Sequence, residues 1–129
     1  MKKLLTLLMV ICLAFTTQAQ PCIGCTHQQL AEMFSEQSDT WNKGTTKTGT
    51  TFYYAETTNI IRVWDMYYNV CRGYTIMFKN TDTYNKYTNE LDIRGIRDTI
   101  EPNKWYLGKM VIVGTMHNNK QMLMFTTNN

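Results

Sequence analysis

The chain has 129 residues, of which 43% are hydrophobic and 12% aromatic, and it carries a formal net charge of +3 at pH 7. This length suffices for one domain, and the apolar fraction excludes a largely disordered chain. The small net charge argues against a nucleic-acid partner, because phosphate recognition needs a concentrated basic surface.

The first residues show the three parts of a secretory signal peptide. Lys2 and Lys3 precede an uncharged apolar run at residues 4–15, and the sequence Thr-Gln-Ala at positions 17–19 provides a cleavage site. A helix over the apolar run would reach only ~18 Å, which is too short for a hydrocarbon core of ~30 Å. We therefore predict a cleaved signal peptide at residues 1–19.

Cleavage there would leave residues 20–129 as a single domain, exported to the periplasm or the medium. Without Lys2 and Lys3, the chain has eleven basic and ten acidic residues. That balance predicts neither a nucleic acid nor, after cleavage, a membrane as a partner.

The first element of the domain is predicted to be a helix. Thr26 and Gln29 have the spacing of a capping box, and Lys43 with Gly44 would end the helix. Between these signals a mostly apolar stripe follows helical spacing: Leu30, Met33, Phe34, Gln37 and Trp41.

Three strands are predicted in the middle of the chain, at residues 51–56, 60–68 and 74–79. Each alternates its aromatic and β-branched residues between two faces. The connections between these strands are short, which predicts antiparallel neighbours.

The segment after the third strand allows two interpretations. Asn80 is followed by Thr and Asp, a helix-start signal, and Tyr84, Tyr87 and Leu91 would form a stripe on a short second helix. The alternation over residues 91–94 fits a brief edge strand instead.

The last third of the chain predicts a hairpin. Residues 110–116 are apolar on both faces, as in a central strand, and residues 121–126 return. Asn118 and Asn119 suit the tight turn between them, because Asn tolerates a positive φ. In sum, the sequence predicts an α+β fold in which an N-terminal helix packs on one face of an antiparallel sheet of about five strands.

Three cysteines remain after the predicted cleavage: Cys22, Cys25 and Cys71. The expected arrangement is a structural disulfide from Cys22 or Cys25 to Cys71, in line with an oxidising compartment. The alternative is a redox pair of Cys22 and Cys25, whose spacing and position before a helix would favour a reactive thiol. No strand precedes this motif in the mature chain, as a thioredoxin-like unit would require.

A soft-metal site is a weaker hypothesis. Cys22, Cys25, His27 and Cys71 include the ligand types that zinc prefers, and thioethers beside an imidazole would suit copper(I). The thioether and imidazole side chains of this possible copper site lie on the predicted hairpin: Met116, His117, Met122 and Met124. Ordinary core packing accounts for the same methionines.

Four aromatic residues are candidates for an exposed binding surface: Tyr53, Tyr67, Tyr74 and Trp105. Catalytic motifs are scarce, since Ser35 and Ser38 are the only serines and no nucleophile turn surrounds either of them. The sequence therefore favours a non-enzymatic binding domain without a cofactor, acting as an inhibitor, an immunity-type protein or a ligand carrier. Its partner would be a protein, a peptide or a small molecule. The alternative is a thiol-disulfide redox or soft-metal protein that uses Cys22 and Cys25.

Overall fold

The computed structural model describes residues 22–37 and 40–127, so the predicted signal peptide lies outside the described residues. These residues form two helices, α1 (His27–Gln37) and α2 (Thr81–Arg94). They also form eight strands, which are β1 (Asn42–Thr45), β2 (Thr51–Glu56), β3 (Ile60–Tyr67), β4 (Val70–Phe78), β5 (Ile96–Arg97), β6 (Lys104–Leu107), β7 (Met110–His117) and β8 (Lys120–Thr127). Neither helix has the length and apolarity that a membrane crossing requires.

All eight strands belong to one sheet with the order β1-β2-β3-β4-β8-β7-β6-β5. Every neighbouring pair is antiparallel. The chain thus makes a helix followed by four strands, and then repeats that topology. The two four-stranded halves join through their last strands, β4 and β8, so the architecture is repeated although the sequence shows no repeat.

The predicted fold, an N-terminal helix on a sheet of about five strands, is wrong. The sheet has eight strands, and α2 is a second helix of 14 residues. The strands absent from the prediction are β1, β5 and β6, which have only 4, 2 and 4 residues. Segments this short carry too few alternations to be read as strands, and the sequence of β1, Asn-Lys-Gly-Thr, has no apolar side chain.

The predicted start of α1 is confirmed, but its predicted end is wrong. The Thr26 N–H donates to Gln29 Oε1 at 2.9 Å, and the Gln29 N–H donates to Thr26 Oγ1 at 3.3 Å, which together form a capping box. The helix ends at Gln37. Trp41 precedes β1, and its ring nevertheless stacks on Phe34 with 5.2 Å between centroids.

The helix interpretation of the segment after β4 is confirmed as α2. Asn80 is its N-cap, since Asn80 Oδ1 accepts a hydrogen bond from the Thr83 N–H at 2.8 Å. Leu91 lies within the helix and is 1% exposed. The alternative of an edge strand over residues 91–94 is therefore wrong.

The predicted hairpin at the end of the chain is confirmed as β7 and β8. Asn118 and Asn119 have φ values of 51° and 64°, the left-handed conformation at both central residues that a type I′ turn requires. The three predicted middle strands are also present as β2, β3 and β4, although β4 begins four residues earlier than expected, at Val70.

Both helices pack on the same face of the sheet, which we call the inner face. Phe34 of α1 contacts the rings of Tyr53 and Trp64, with centroids 6.2 and 4.8 Å away. Tyr84 and Tyr87 of α2 lie 5.3 and 5.1 Å from Phe78. Across the inner face runs a row of directly paired, buried residues from β2 to β6, the aromatic row: Tyr53, Trp64, Tyr74, Phe125, Ile112 and Trp105.

Gly95 marks the point where α2 passes directly into β5. Its N–H donates to the Leu91 carbonyl at 2.8 Å. A Cβ atom at this position would lie 2.8 Å from the Tyr106 carbonyl oxygen and 3.1 Å from that of Leu91. Both neighbours are backbone atoms, so they cannot rotate away.

We predict that Gly95→Ala lowers the free energy of unfolding by about 1–3 kcal/mol, because the added methyl group is overpacked against the backbone. Gly73→Ala is the matched control, since a Cβ there meets nothing closer than 3.9 Å. Urea denaturation of both variants checks this expectation. Equal stability of the two variants would contradict it.

Asp98 organises the turn between β5 and β6. Its carboxylate accepts hydrogen bonds from the backbone N–H groups of Glu101 and Ile100 and from the Tyr106 hydroxyl, and these bonds lower the pKa of Asp98 to about 2. A lowered pKa in the folded state means that this group stabilises the fold above its ordinary pKa of ~3.9.

We therefore predict that the contribution of Asp98 to stability is complete above about pH 4 and disappears as the pH falls toward 2. Thermal unfolding of the wild type and of Asp98→Asn, followed between pH 2 and 6, measures it. The stability gap between the two proteins should close at the acidic end. A gap that is independent of pH would show that the carboxylate charge is not what holds the turn.

Candidate functional site

The segment before α1 carries a disulfide between Cys22 and Cys25. The Gly24 N–H donates to the Cys71 carbonyl at 2.7 Å, and the Cys71 N–H donates to the Cys25 carbonyl at 2.8 Å. Thr26 and Val70 form an antiparallel bridge one residue further along. The segment is therefore held against the first residues of β4.

The predicted disulfide from Cys22 or Cys25 to Cys71 is not the one in the structure. Cys71 has a free thiol, and its side chain is fully buried. By chain entropy, the Cys22–Cys25 bridge across four residues stabilises the fold by ~2 kcal/mol, whereas a 47-residue loop to Cys71 would give ~4 kcal/mol. The sequence leaves this pairing open, because the spacing of cysteines alone does not determine connectivity.

The buried Cys71 thiol is held in its protonated form. Burial is the main cause that raises its pKa to about 11, and the nearby Asp65 carboxylate raises it further. The Cys71 Sγ donates a hydrogen bond to the Gly73 carbonyl at 3.3 Å. A thiol with this pKa is a weak nucleophile at neutral pH, because the thiolate is the reactive form.

His27 lies in the first turn of α1 and uses both of its ring nitrogens. Nδ1 is 2.6 Å from the Tyr53 hydroxyl, and Nε2 is 3.3 Å from the Tyr68 carbonyl oxygen. Since a carbonyl can only accept, Nε2 donates and Nδ1 accepts from Tyr53. His27 therefore links α1 to β2 and to the turn between β3 and β4, a structural role that leaves neither nitrogen for a metal ion.

Three of the four predicted binding aromatics are buried. Tyr53, Tyr74 and Trp105 are 6%, 1% and 1% exposed and belong to the aromatic row. Tyr67 alone is exposed, at 52%, and its ring contacts that of Tyr68 at 4.5 Å between centroids. The expected aromatic surface is thus reduced to Tyr67 and a neighbour, Tyr68, that the sequence did not single out.

The predicted thioether site is divided by the pleat of the final hairpin. Met122 and Met124 pair with Thr115 and Val113 on the face opposite the helices, whereas Met116 pairs with Gln121 on the inner face. His117 lies at the end of β7, opposite Lys120. Within residues 22–37 and 40–127, no three His, Cys, Asp or Glu side chains are grouped as a metal site would require.

The sheet face opposite the helices, the outer face, has apolar side chains on its four central strands. These residues, which we call the outer patch, are Ile61, Val63, Met77, Val113, Met122 and Met124. Val113 is 38% and Met124 43% exposed, and the other four are half-buried against one another. From the sequence we expected apolar residues on both faces of residues 110–116 and core packing for the hairpin methionines.

Aromatic residues extend the outer patch on both sides. Phe52 and Tyr54 on β2 lie beside it, with ring centroids 5.8 Å apart, and Tyr106 on β6 lies beyond β7. Charges occur at the strand ends, and one of them, Lys104 at the start of β6, pairs directly with Val113. Glu56 pairs with Lys79 at one end of the face, and this ion pair lowers the pKa of Glu56.

Two surface clefts lie outside the outer patch. The first, of about 430 Å³, is lined by uncharged residues: Tyr84, Asn103, Gly114, Thr115, Met116 and Gln121. The second, of about 320 Å³, adjoins the disulfide segment and is lined by Ile23, Gly24, Val70, Cys71, Arg72 and Thr127. Cys71 contributes to the wall of the second cleft, although its side chain is fully buried.

Comparison with known proteins finds no matching family model, no matching curated protein and no matching solved structure.

We predict that Tyr53→Phe lowers the free energy of unfolding by about 0.5–1.5 kcal/mol, because it removes the hydroxyl group that donates to His27 Nδ1. Tyr54→Phe is the matched control, since the adjacent ring points to the outer face. Denaturant titration of both variants measures the difference. If Tyr54→Phe costs as much as Tyr53→Phe, the hydrogen bond to His27 is not the cause.

Proposed function

We propose that this chain is an exported, non-enzymatic binding protein that docks a partner protein on the outer face of its sheet. The outer patch is the observation that supports this function. It is a largely apolar surface on the face that neither helix covers. Thr75 and Thr115 lie within its two rows, and Lys104, which pairs with Val113, borders it.

The size of the patch suits the centre of a protein interface. Its two rows across four strands include Thr75 and Thr115 and make eight outward positions. At ~4.8 Å between strands and ~6.8 Å between alternate residues, these positions cover about 260 Å². With Phe52, Tyr54 and Tyr106 added, eleven positions cover about 360 Å², within the roughly 300–600 Å² of functional surface patches.

The chemistry of the face indicates what kind of partner it fits. Interface centres are depleted in charge and enriched in methionine and aromatic residues. Methionine side chains can adapt to an irregular partner surface. Charged residues surround this centre: Glu56, Lys79 and Lys120 toward one end, Asp65 toward the other, and Lys104 beside Val113. The fitting partner is a protein with an apolar, uncharged docking surface and a rim of mixed charge.

An open sheet face suits a protein better than a small molecule. Small ligands bind in concave sites that enclose most of their surface. The outer patch is instead spread over four strands, and its two most exposed members, Val113 and Met124, are paired directly across β7 and β8.

Two features support export. The signal-peptide pattern at residues 1–19 predicts it. The Cys22–Cys25 disulfide is consistent with an oxidising compartment, because such bonds are rare in the cytosol.

We predict that Val113→Lys or Met124→Lys weakens partner binding at least about 30-fold, or about 2 kcal/mol, because an unpaired ammonium would be buried at the centre of the interface. Both sites are partly exposed, so the free protein should remain folded. Ile93→Lys is the matched control, since Ile93 is 78% exposed on α2.

The measurement is quantitative cross-linking of each purified variant in the exported fraction of its native host, together with light scattering for the oligomeric state. The proposal is supported if one partner protein is cross-linked to the wild type and to Ile93→Lys, and is not cross-linked to Val113→Lys or Met124→Lys. Equal cross-linking by all four proteins would overturn it. So would a self-association that the patch variants abolish, since the occupant would then be a second copy of the chain.

A further inference from the structure

The pairing of backbone segments brings the third cysteine opposite the disulfide. Thr26 and Val70 form an antiparallel bridge, so Cys25 and Cys71 are the next cross-strand neighbours, joined by the hydrogen bond from the Cys71 N–H to the Cys25 carbonyl. The Gly24 N–H donates to the Cys71 carbonyl, so Gly24 and Cys25 together face Cys71, as the two residues of a bulge face one residue of the neighbouring strand. Cys22 and Cys25 indeed pack against the buried cluster that contains Cys71.

Cross-strand residues that share a backbone hydrogen bond have Cα atoms ~5.5 Å apart, a separation that a disulfide can span. Bridged cysteines have Cα atoms ~4.4–6.8 Å apart, and the Cα atoms of the existing Cys22–Cys25 pair are 5.4 Å apart. Cys25 is therefore placed where it can bond to either of two cysteines, one three residues before it and one opposite it in β4.

Folding changes the balance between these two bonds. In the unfolded chain, the 47-residue loop between Cys25 and Cys71 is roughly 40-fold harder to close than the four-residue loop between Cys22 and Cys25. In the folded chain that entropy has already been lost, because Cys25 and Cys71 are neighbours. The folded protein thus removes the penalty against a Cys25–Cys71 bond.

We propose that Cys22, Cys25 and Cys71 form a thiol-disulfide exchange site, in which Cys71 displaces Cys22 from Cys25 and makes Cys22 available to a disulfide-bearing substrate. In this step Cys71 first loses its proton, and the resulting thiolate attacks Cys25 Sγ. Because the pKa of Cys71 is raised to about 11, little thiolate is present at neutral pH, and the exchange is expected to be slow there and to become faster as the pH rises. The Cys25–Cys71 bond forms and the Cys22–Cys25 bond breaks. The electron pair leaves on Cys22 Sγ, which takes up the proton that Cys71 lost, so the step involves no net oxidation.

The second step transfers the exchange to a substrate. The Cys22 thiolate attacks the disulfide of a low-molecular-weight thiol or of an exported protein and forms a mixed disulfide, while the other half of the substrate leaves as a thiolate. The cleft of about 320 Å³ beside Ile23 and Gly24 gives a substrate access to this segment. The fully buried Cys71 stays inside and acts only on Cys25.

The proposal is tested first with Cys22→Ser, which leaves Cys25 and Cys71 as the only mature thiols. After treatment with oxidised glutathione, most molecules should contain the Cys25–Cys71 bridge. Trypsin and mass spectrometry would show it as a link to the peptide of residues 63–72. Cys25→Ser is the matched control and should give at least tenfold less of a Cys22–Cys71 link, because Cys22 is not opposite Cys71. A folded Cys22→Ser variant that stays unbridged would overturn the proposal.

A second measurement uses the wild-type protein and does not depend on a variant that folds. The protein is incubated with oxidised glutathione, quenched with acid, and mapped by mass spectrometry. Glutathione should be found on Cys22, together with a Cys25–Cys71 bridge, at least tenfold more often than on Cys71. Glutathione on Cys71 with Cys22–Cys25 intact, or no adduct at all, would overturn the exchange site.

Discussion

The fold depends on burying one continuous row of large side chains across six strands. The aromatic row joins β2, β3, β4, β8, β7 and β6 through direct cross-strand pairs, with ring centroids 5.1 Å apart between Trp64 and Tyr74 and 5.3 Å between Tyr74 and Phe125. Because side chains alternate between faces, a slip of one residue in any of these strands would turn its member of the row to the outer face. The row therefore sets the register of the sheet, and with it the position of every residue on either face.

The outer patch is a consequence of that arrangement. Each half of the chain supplies one helix, and both helices cover the inner face, where Phe34 packs on Trp64 and the α2 tyrosines pack on Phe78. The central strands carry apolar residues on both faces, as strands between two covering layers do. Here only one layer is present among the described residues. The sequence thus provides apolar side chains for a second covering layer that the described residues do not form. This favours another molecule as the second layer.

Local signals predicted the element boundaries that depend on side-chain to backbone hydrogen bonds, including Thr26 with Gln29, Asn80 and the Asn118–Asn119 turn. The remaining features depend on tertiary contacts. The burial of Tyr53, Tyr74 and Trp105 could not be predicted, because a core assumed to have one helix and five strands is too small to enclose them. Two helices and eight strands enclose all three residues.

The same dependence on tertiary contacts explains why the candidate sites changed. Spacing alone made Cys22 and Cys25 a motif and left Cys71 as a remote partner, whereas the pairing of the disulfide segment with β4 makes Cys71 the cross-strand neighbour of Cys25. His27 adds to this pairing, because its bonds to Tyr53 and to the Tyr68 carbonyl fix the start of α1 to β2 and to the turn that leads into β4. The three cysteines are thus brought together by backbone hydrogen bonds and by the contacts of His27, none of which involves a sulfur atom. An exchange of the Cys22–Cys25 bond for a Cys25–Cys71 bond would therefore break none of these contacts directly.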